Sequence, residues 1–256
     1  MTRGIRIVAP FRPFPPEAPH HRALSAFDWI DAIRMMAHSA ELACRCPVHV
    51  ITDVDTDLPW PVPCLRYPTH ARRLMLWYLE AAACYLASDD FDRDTVALDA
   101  DQLVYQDLAR FFRKDADLGI LIRPPSLKGE MLPIFNGVQF WPLRGRDRLA
   151  AFYRRALAIA ATLPEALIAW GADTIALAQL LEPLAPGVEP RGDLVVELID
   201  SRRILSALSR TQIRWLVAGR LGRFHQTAPV MDFRSTRKVF MRRVYEATIA
   251  REVLTA

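Results

Sequence analysis

Asp99 and Asp101 stand one residue apart, where the apolar run Thr95-Val96-Ala97-Leu98 gives way to polar sequence. In a strand, residues i and i+2 point the same way, so carboxylates at this spacing can face one point at the strand's end. A shared hard cation is the chemistry such a pair suits, because Mg²⁺ and Mn²⁺ take oxygen ligands and bridge protein carboxylates to phosphates. The plain alternative is a solvated acidic turn, which is how Asp89, Asp90, Asp92 and Asp94 just upstream are read. Asp99 and Asp101 differ from these in following an apolar strand, where an uncompensated buried charge costs several kcal/mol and so requires a partner.

The elements that must position the pair alternate along the chain. Residues 4–9 form a β-branched run stopped by Pro10, and Pro13, Pro15, Pro16 and Pro19 then make a stiff loop. Phe27, Ile30, Ile33, Met36, Ala37 and Ala40 recur at helical spacing over 27–45. Strands are expected at 47–52, running into the acidic turn at Asp53, then at 63–67, 95–99, 118–122, 134–140 and 193–199. Helices are expected at 72–87, 147–162, 171–182 and 201–218, with a basic helix at 236–253. This order predicts an α/β fold with a mostly parallel central sheet flanked by helices. Ligands of such sheets bind beyond the carboxyl ends of the strands, which is where Asp53 and the Asp99/Asp101 pair fall.

Composition narrows the function classes. At 52% hydrophobic and 24% charged, the 256 residues hold ample material for a core. Cys44, Cys46, Cys64 and Cys84 form no C-x-x-C pair or disulfide framework, so reduced thiols are expected, with zinc on Cys44, Cys46 and His49 as the minor alternative. The longest apolar stretch, 74–87, is interrupted by Glu80 and too short to span a bilayer. With no signal peptide evident, a cytoplasmic protein is expected, at most peripheral to the inner membrane face. From Ser201 onward 12 Arg and Lys face 3 acids, net +9 within an overall +4, which leaves −5 for residues 1–200. The basic quarter suits an anionic partner (nucleotide phosphates, a membrane surface or nucleic acid) or is a solvated Arg-rich tail. No P-loop or G-x-S-x-G occurs, and Gly219 and Gly222 do not make a G-x-G-x-x-G. Pro10-Phe11-Arg12-Pro13 stands where a nucleotidyltransferase would need a Gly-rich phosphate loop. Trp77, Tyr78, Tyr85 and Trp215 sit at helical spacings and are read as core.

Five short segments in order resemble the nucleotide-sugar glycosyltransferases of the GT-A fold, especially the family-8-like enzymes. Val96-Ala97-Leu98-Asp99-Ala100-Asp101-Gln102-Leu103-Val104 is similar to their YLDADxLV strand, and Asp107 to Phe112 to the DLxxLF helix that follows it. Phe135-Asn136-Gly137-Val138-Gln139-Phe140 resembles FNxGVxL, and Trp170 to Leu177 resembles xxxDQxAL. Val230-Met231-Asp232-Phe233-Arg234-Ser235-Thr236-Arg237-Lys238 is similar to the C-terminal HFxGxxK.

The resemblance implies metal-assisted transfer of a sugar from a nucleoside-diphosphate sugar to a glycan or other hydroxyl acceptor, with retention favoured over inversion. It implies one GT-A domain over residues 1–256, with a nucleotide-binding half at about 1–105 and an acceptor half at about 106–256. Asp99 and Asp101 would hold Mn²⁺ or Mg²⁺, and the ion would neutralise the departing diphosphate. The third ligand, histidine in the family, falls on Asp232, with His225 as the rival position; Ser235 replaces the family's glycine. Arg237, Lys238 and Arg73 would contact the donor diphosphate, and Asp53 the nucleoside. Asn136 would present an amide to sugar or acceptor, the alternative being a turn residue beside Gly137. Asp173 would touch the donor sugar or act as general base, the alternative being a favourable charge at a helix N-terminus. The competing function is a nucleic-acid-associated protein using the basic quarter, including a transferase acting on modified DNA.

Overall fold

The computed structural model describes residues 4–13, 27–58, 62–123, 132–168, 171–206, 208–220, 228–233 and 235–250. The strands are β1 (Arg6–Pro10), β2 (Val48–Asp53), β3 (Cys64–Tyr67), β4 (Thr95–Leu98), β5 (Gln102–Val104), β6 (Leu118–Ile122) and β7 (Ile134–Trp141), followed by β8 (Gly187–Arg191), β9 (Leu194–Asp200), β10 (Leu205–Ser206) and β11 (Val230–Asp232). The helices are α1 (Trp29–Cys44), α2 (Leu74–Ala87), α3 (Arg146–Ala161), α4 (Glu165–Ile168), α5 (Ala172–Leu181), α6 (Arg210–Val217) and α7 (Met241–Ala247).

Eight strands make the central sheet in the order β3-β2-β1-β4-β7-β6-β9-β8. Four neighbouring pairs are parallel, and three, β4–β7, β6–β7 and β8–β9, are antiparallel. Both faces of the sheet are covered, which is why its strands read as unbroken apolar runs rather than alternating ones. Along β1, Ile7 and Ala9 enter one buried cluster, with Ile33 and Met36 of α1 and Met241 and Val244 of α7. Val8 enters the other, with Trp77 and Leu79 of α2, Phe152 of α3 and Leu177 of α5. β4 repeats the alternation, sending Val96 and Leu98 one way and Ala97 the other.

Two features set up the site. A small sheet in the order β10-β11-β5 joins the chain just after Asp101 to a segment more than a hundred residues later, with Asp232 opposite Gln102. In β7 the register against β6 jumps: Ile120 pairs with Gln139 but Leu121 with Phe135, so Asn136, Gly137 and Val138 bulge out of that ladder. On its other edge β7 stays paired with β4, Leu98 opposite Val138.

Several expected elements differ. The helix expected at 201–218 is three pieces: a 3-10 turn (Ser201–Arg203) capped by the Asp200 side chain, β10, and α6, which opens on a capping box between Ser209 and Gln212. The basic helix expected at 236–253 begins as a 3-10 turn (Ser235–Phe240) before α7. The DLxxLF match is a 3-10 turn (Leu108–Phe111) rather than an α-helix. β8 was not expected at all. It is an edge strand containing Pro190 and joins β9 through Gly192 at φ +61°. Trp77, Tyr78 and Tyr85 are buried as expected, but Trp215 is 48% exposed on α6. The prolines at 15, 16 and 19, Trp170, Gly222, His225 and Arg234 lie outside the described residues.

Candidate functional site

Leu98 ends β4, and Asp99 follows with its N–H donating to the Gly137 carbonyl at 2.9 Å. The turn at Ala100-Asp101 leads into β5, and the Asp101 carbonyl accepts from Phe233 N–H at 3.0 Å, one residue past Asp232. The backbone thus brings all three acidic positions to one place. Asp101 and Asp232 are buried, Asp99 half-buried. Gly137 makes the packing possible: a Cβ there would lie 2.6 Å from Asp99 Oδ2 and 2.8 Å from Gln102 Nε2. Gln102 is fully buried, and neither of its amide atoms has a partner.

Lys238 closes this corner. Its ammonium pairs with Asp101 and lies 4.9 Å from the centre of the Trp29 ring. Burial pulls its pKa down to about 8, while the Asp99 carboxylate holds it up. Among the described residues no three His, Cys, Asp or Glu side chains are grouped as a ready ion site, and Asp101 is engaged by Lys238. The zinc alternative finds no such group either. Burial raises Cys44 to about 12 and Cys46 to about 11, so both thiols stay protonated.

The second corner begins one residue away, at Asn136. Its Nδ2 donates to Asp173 Oδ2 at 2.6 Å, in the first turn of α5. Asp173 is 6% exposed, and its other oxygen, Oδ1, is buried with no partner. Desolvation raises its pKa, against hydrogen bonding from the Thr174 N–H, Asn136, its own N–H and the Thr174 hydroxyl, which lowers it. Behind Asn136, Gln139 Nε2 donates to Asn136 Oδ1, and Gln139 Oε1 accepts from Tyr153 O–H and from Trp141 Nε1, the latter at 3.0 Å. Gln139, Trp141 and Tyr153 were not singled out from the sequence. A glutamine inside the apolar run Gly137–Trp141 was the available signal.

The remaining expected positions have structural partners. Asp53 ends β2 at the same sheet edge as Asp99, with β1 between, about 10 Å by strand spacing. Its Oδ1 accepts from Thr56 N–H at 2.7 Å and its Oδ2 lies 3.4 Å from Arg12 Nε, so it holds the turn that follows β2. Arg73 pairs with Glu165 of α4 at the surface. Arg237 donates to the Leu208 carbonyl at 3.2 Å.

No family model and no curated protein sequence matches the chain. Solved structures do match it. A glycosyltransferase involved in the glycosylation of the major capsid of PBCV-1 superposes on 93% of this chain and 98% of its own, with a TM-score of 0.55 at 12% identity. The glycosyltransferase GlyE of Streptococcus pneumoniae TIGR4, in its apo form, covers 99% of this chain at TM-score 0.53 and 11% identity, and the bifunctional WbbM covers 100% at 0.53 and 8%. This chain spans 64% of the GlyE structure and 52% of the WbbM structure. At these identities the likeness establishes the fold, which is the GT-A type of these glycosyltransferases.

Proposed function

We propose that this chain is a glycosyltransferase, family-8-like, that moves a sugar from a nucleoside-diphosphate sugar to a hydroxyl of a glycan or other acceptor. The observation that carries this reading is the meeting of two unlike corners at Asn136-Gly137: the carboxylates of Asp99 and Asp101 with a buried lysine, and a buried carboxylate with one oxygen unpartnered. A diphosphate sugar has two unlike ends of this kind, one anionic and one rich in hydroxyls.

The diphosphate would lie against Lys238, whose ammonium could exchange Asp101 for a phosphate oxygen, with Arg237 beside it. The chemistry of the donors, all carboxylate oxygens, suits a hard divalent ion, and the Lys238 ammonium stands on Asp101 as a cation, although the three side chains are not grouped as an ion site among the described residues. Asp99, Asp101 and Asp232 would hold Mn²⁺ or Mg²⁺ once Lys238 has moved, and the bound ion would supply neutralisation of the leaving diphosphate. Asp173 would accept a hydroxyl of the transferred sugar through Oδ1, with Asn136 holding Oδ2. Asp53 and Arg73 are proposed at the nucleoside and at the outer phosphate, and retention is the proposed stereochemical course. The basic C-terminal region, where Arg210, Arg214, Arg220, Arg242 and Arg243 are exposed alongside Trp215, is proposed to rest on an anionic surface near the acceptor. No helix among the described residues is long and apolar enough to cross a membrane. The one-domain division of the chain belongs to the same proposal.

The test is thermal shift with UDP, GDP, UDP-glucose, UDP-galactose and GDP-mannose, each with and without Mn²⁺, on the unmodified chain and on Asp101→Asn. Stabilisation that requires Mn²⁺ and disappears in the variant, each referred to its own melting temperature, is the expected result. No shift with any of these ligands in the presence of metal would overturn the donor assignment.

A further inference from the structure

The chain of buried polar groups behind Asp173 has a direction, and Trp141 sets it. An indole N–H can only donate, so the atom of Gln139 that meets Trp141 Nε1 at 3.0 Å must be the carbonyl oxygen. The same oxygen accepts from Tyr153 O–H, while Tyr153 in turn accepts from Trp141 Nε1 at 2.9 Å. With Oε1 committed, Gln139 offers Nε2 to Asn136, donating to its side-chain Oδ1 and, at 3.3 Å, to its backbone carbonyl, so the Asn136 atom that faces Nε2 is the acceptor Oδ1. Asn136 is left with Nδ2 as a donor, and it points at Asp173 Oδ2, 2.6 Å away. Neither amide can flip without breaking every link after it.

Three features separate this from ordinary core satisfaction. Asn136 and Gln139 are three residues apart in one strand and would face opposite ways in a regular ladder. They meet only because the β7 bulge at 136–138 breaks the alternation. All the groups behind Asn136 are out of water: Gln139 and Tyr153 are fully buried and Trp141 is fully buried. The chain ends on a carboxylate whose second oxygen is buried and has no partner. A dry, directional chain polarises its members cooperatively and strengthens the last link. Burial also raises the Tyr153 phenol far above its ordinary range, so it remains a donor at any working pH.

We infer that Trp141, Tyr153 and Gln139 form a positioning relay which holds Asp173, through Asn136, with Oδ1 turned to a hydroxyl of the transferred sugar, and which thereby sets the affinity for the sugar part of the donor. None of the three touches the substrate; they act through Asn136 and Asp173. The inference rests on the proposed nucleotide-sugar donor.

The decisive variant is Gln139→Glu, which keeps the volume and reverses the polarity. At a pH high enough to ionise it in this buried place, a carboxylate at 139 still accepts from Trp141 and Tyr153 but cannot donate to Asn136. Asn136 would turn its Nδ2 inward and present Oδ1 to the Asp173 carboxylate, oxygen against oxygen. Calorimetry would measure UDP against UDP-glucose and UDP-galactose, and GDP against GDP-mannose. The ratio of the two dissociation constants isolates the contribution of the sugar. Gln139→Glu should leave nucleoside-diphosphate affinity within about twofold and lower the sugar contribution by about tenfold or more, as expected for losing a hydrogen bond to a charged group. Tyr153→Phe, which leaves Gln139 held by Trp141, should reduce it by about threefold. If Gln139→Glu does not fold, Tyr153→Phe alone decides. A role confined to core stability predicts instead a lower melting temperature with nucleotide and nucleotide-sugar affinities falling together, and that result overturns the relay. So does a sugar contribution that is absent from the unmodified chain or unchanged in the variants. Failure of every nucleotide to bind the unmodified chain would instead overturn the donor assignment on which the relay depends.

Discussion

The two corners that meet at Asn136-Gly137 are held by opposite means. Around Asp173 every donor has an assigned acceptor, the order is fixed by an indole that can only donate, and only one oxygen is left without a partner. Around Asp101 the order is electrostatic. A buried ammonium neutralises one carboxylate, a second carboxylate is close enough to hold its proton on, and a fully buried glutamine amide has no partner at all. The first corner is hydrogen-bonded in a fixed order before any ligand arrives. The second is closed by a long side chain that must let go of Asp101 before a diphosphate or an ion can use it. Charge is the better means where occupants are exchanged, and a fixed hydrogen-bond chain is the better one where a hydroxyl has to be recognised.

Removing one side of the buried pair separates the two most strongly. In Asp101→Asn, Lys238 loses the carboxylate it is paired with and keeps only the nearby Asp99 charge, which should lower stability by up to about 3 kcal/mol. Transfer activity should fall by on the order of a thousandfold or more, as when a group stabilising leaving charge is lost. Adding Lys238→Met should restore much of the stability in urea unfolding and none of the activity. If the double variant is as unstable as the single one, the corner is not organised by this ion pair.

Asp173→Asn should act in the other direction on stability. The native carboxyl has a pKa raised above 3.8 by burial, so between that value and the raised one the folded state binds more protons than the unfolded state. Stability therefore drops as pH rises through that window and stays reduced above it. The amide removes this loss, so the variant should melt at or above the unmodified chain at pH 7 and gain most relative to it across the window. Activity should fall by roughly a hundredfold or more. A variant that melts lower at pH 7 than at pH 3 relative to the parent would contradict the assigned cause.

Gly137→Ala strikes the seam between the corners. Its Cβ would sit 2.6 Å from Asp99 Oδ2 and 2.8 Å from Gln102 Nε2 and from the Phe135 ring. Both polar neighbours would have to shift by several tenths of an ångström, and misplacement on that scale costs up to about a hundredfold in rate. Full activity in this variant would mean that Asp99 is not used where it stands.

How much of this was legible depends on which residues carry it. The Asp99/Asp101 spacing pointed to a strand end because an apolar run and a polar one meet there, and the parallel strands follow from the same runs. The pairing of β5 with β11 was beyond local pattern, since it joins segments more than a hundred residues apart; the resemblance named Asp232 only as a third ligand to go with Asp99 and Asp101. The expected helix at 201–218 failed on caps: helical spacing persists across Ser209, but the Asp200 side chain starts one short element and the Ser209 side chain another. The Ser209-x-x-Gln212 box was visible and should have cut it. The hairpin at Gly192 was visible in the same way. The relay was not, because Asn136 and Gln139 share a side only through a bulge, and a bulge is a property of the partner strand.

The smallest effect expected separates two cations assigned to one ligand. Lys238 is 8% exposed and paired inside the acidic corner, whereas Arg73 pairs with Glu165 where the two side chains are 47% and 64% exposed. An exposed pair of this kind contributes within about 0.5 kcal/mol, because water and salt screen it and both long side chains lose freedom. Arg73→Ala should thus leave urea unfolding unchanged. If the guanidinium leaves Glu165 for the outer phosphate, the KM for the nucleotide sugar should rise by about threefold with kcat unaltered, as for uniform binding. Glu165→Gln should lower that KM slightly by releasing Arg73. If neither variant moves KM, Arg73 belongs to the surface and Lys238 is the cation that the donor meets.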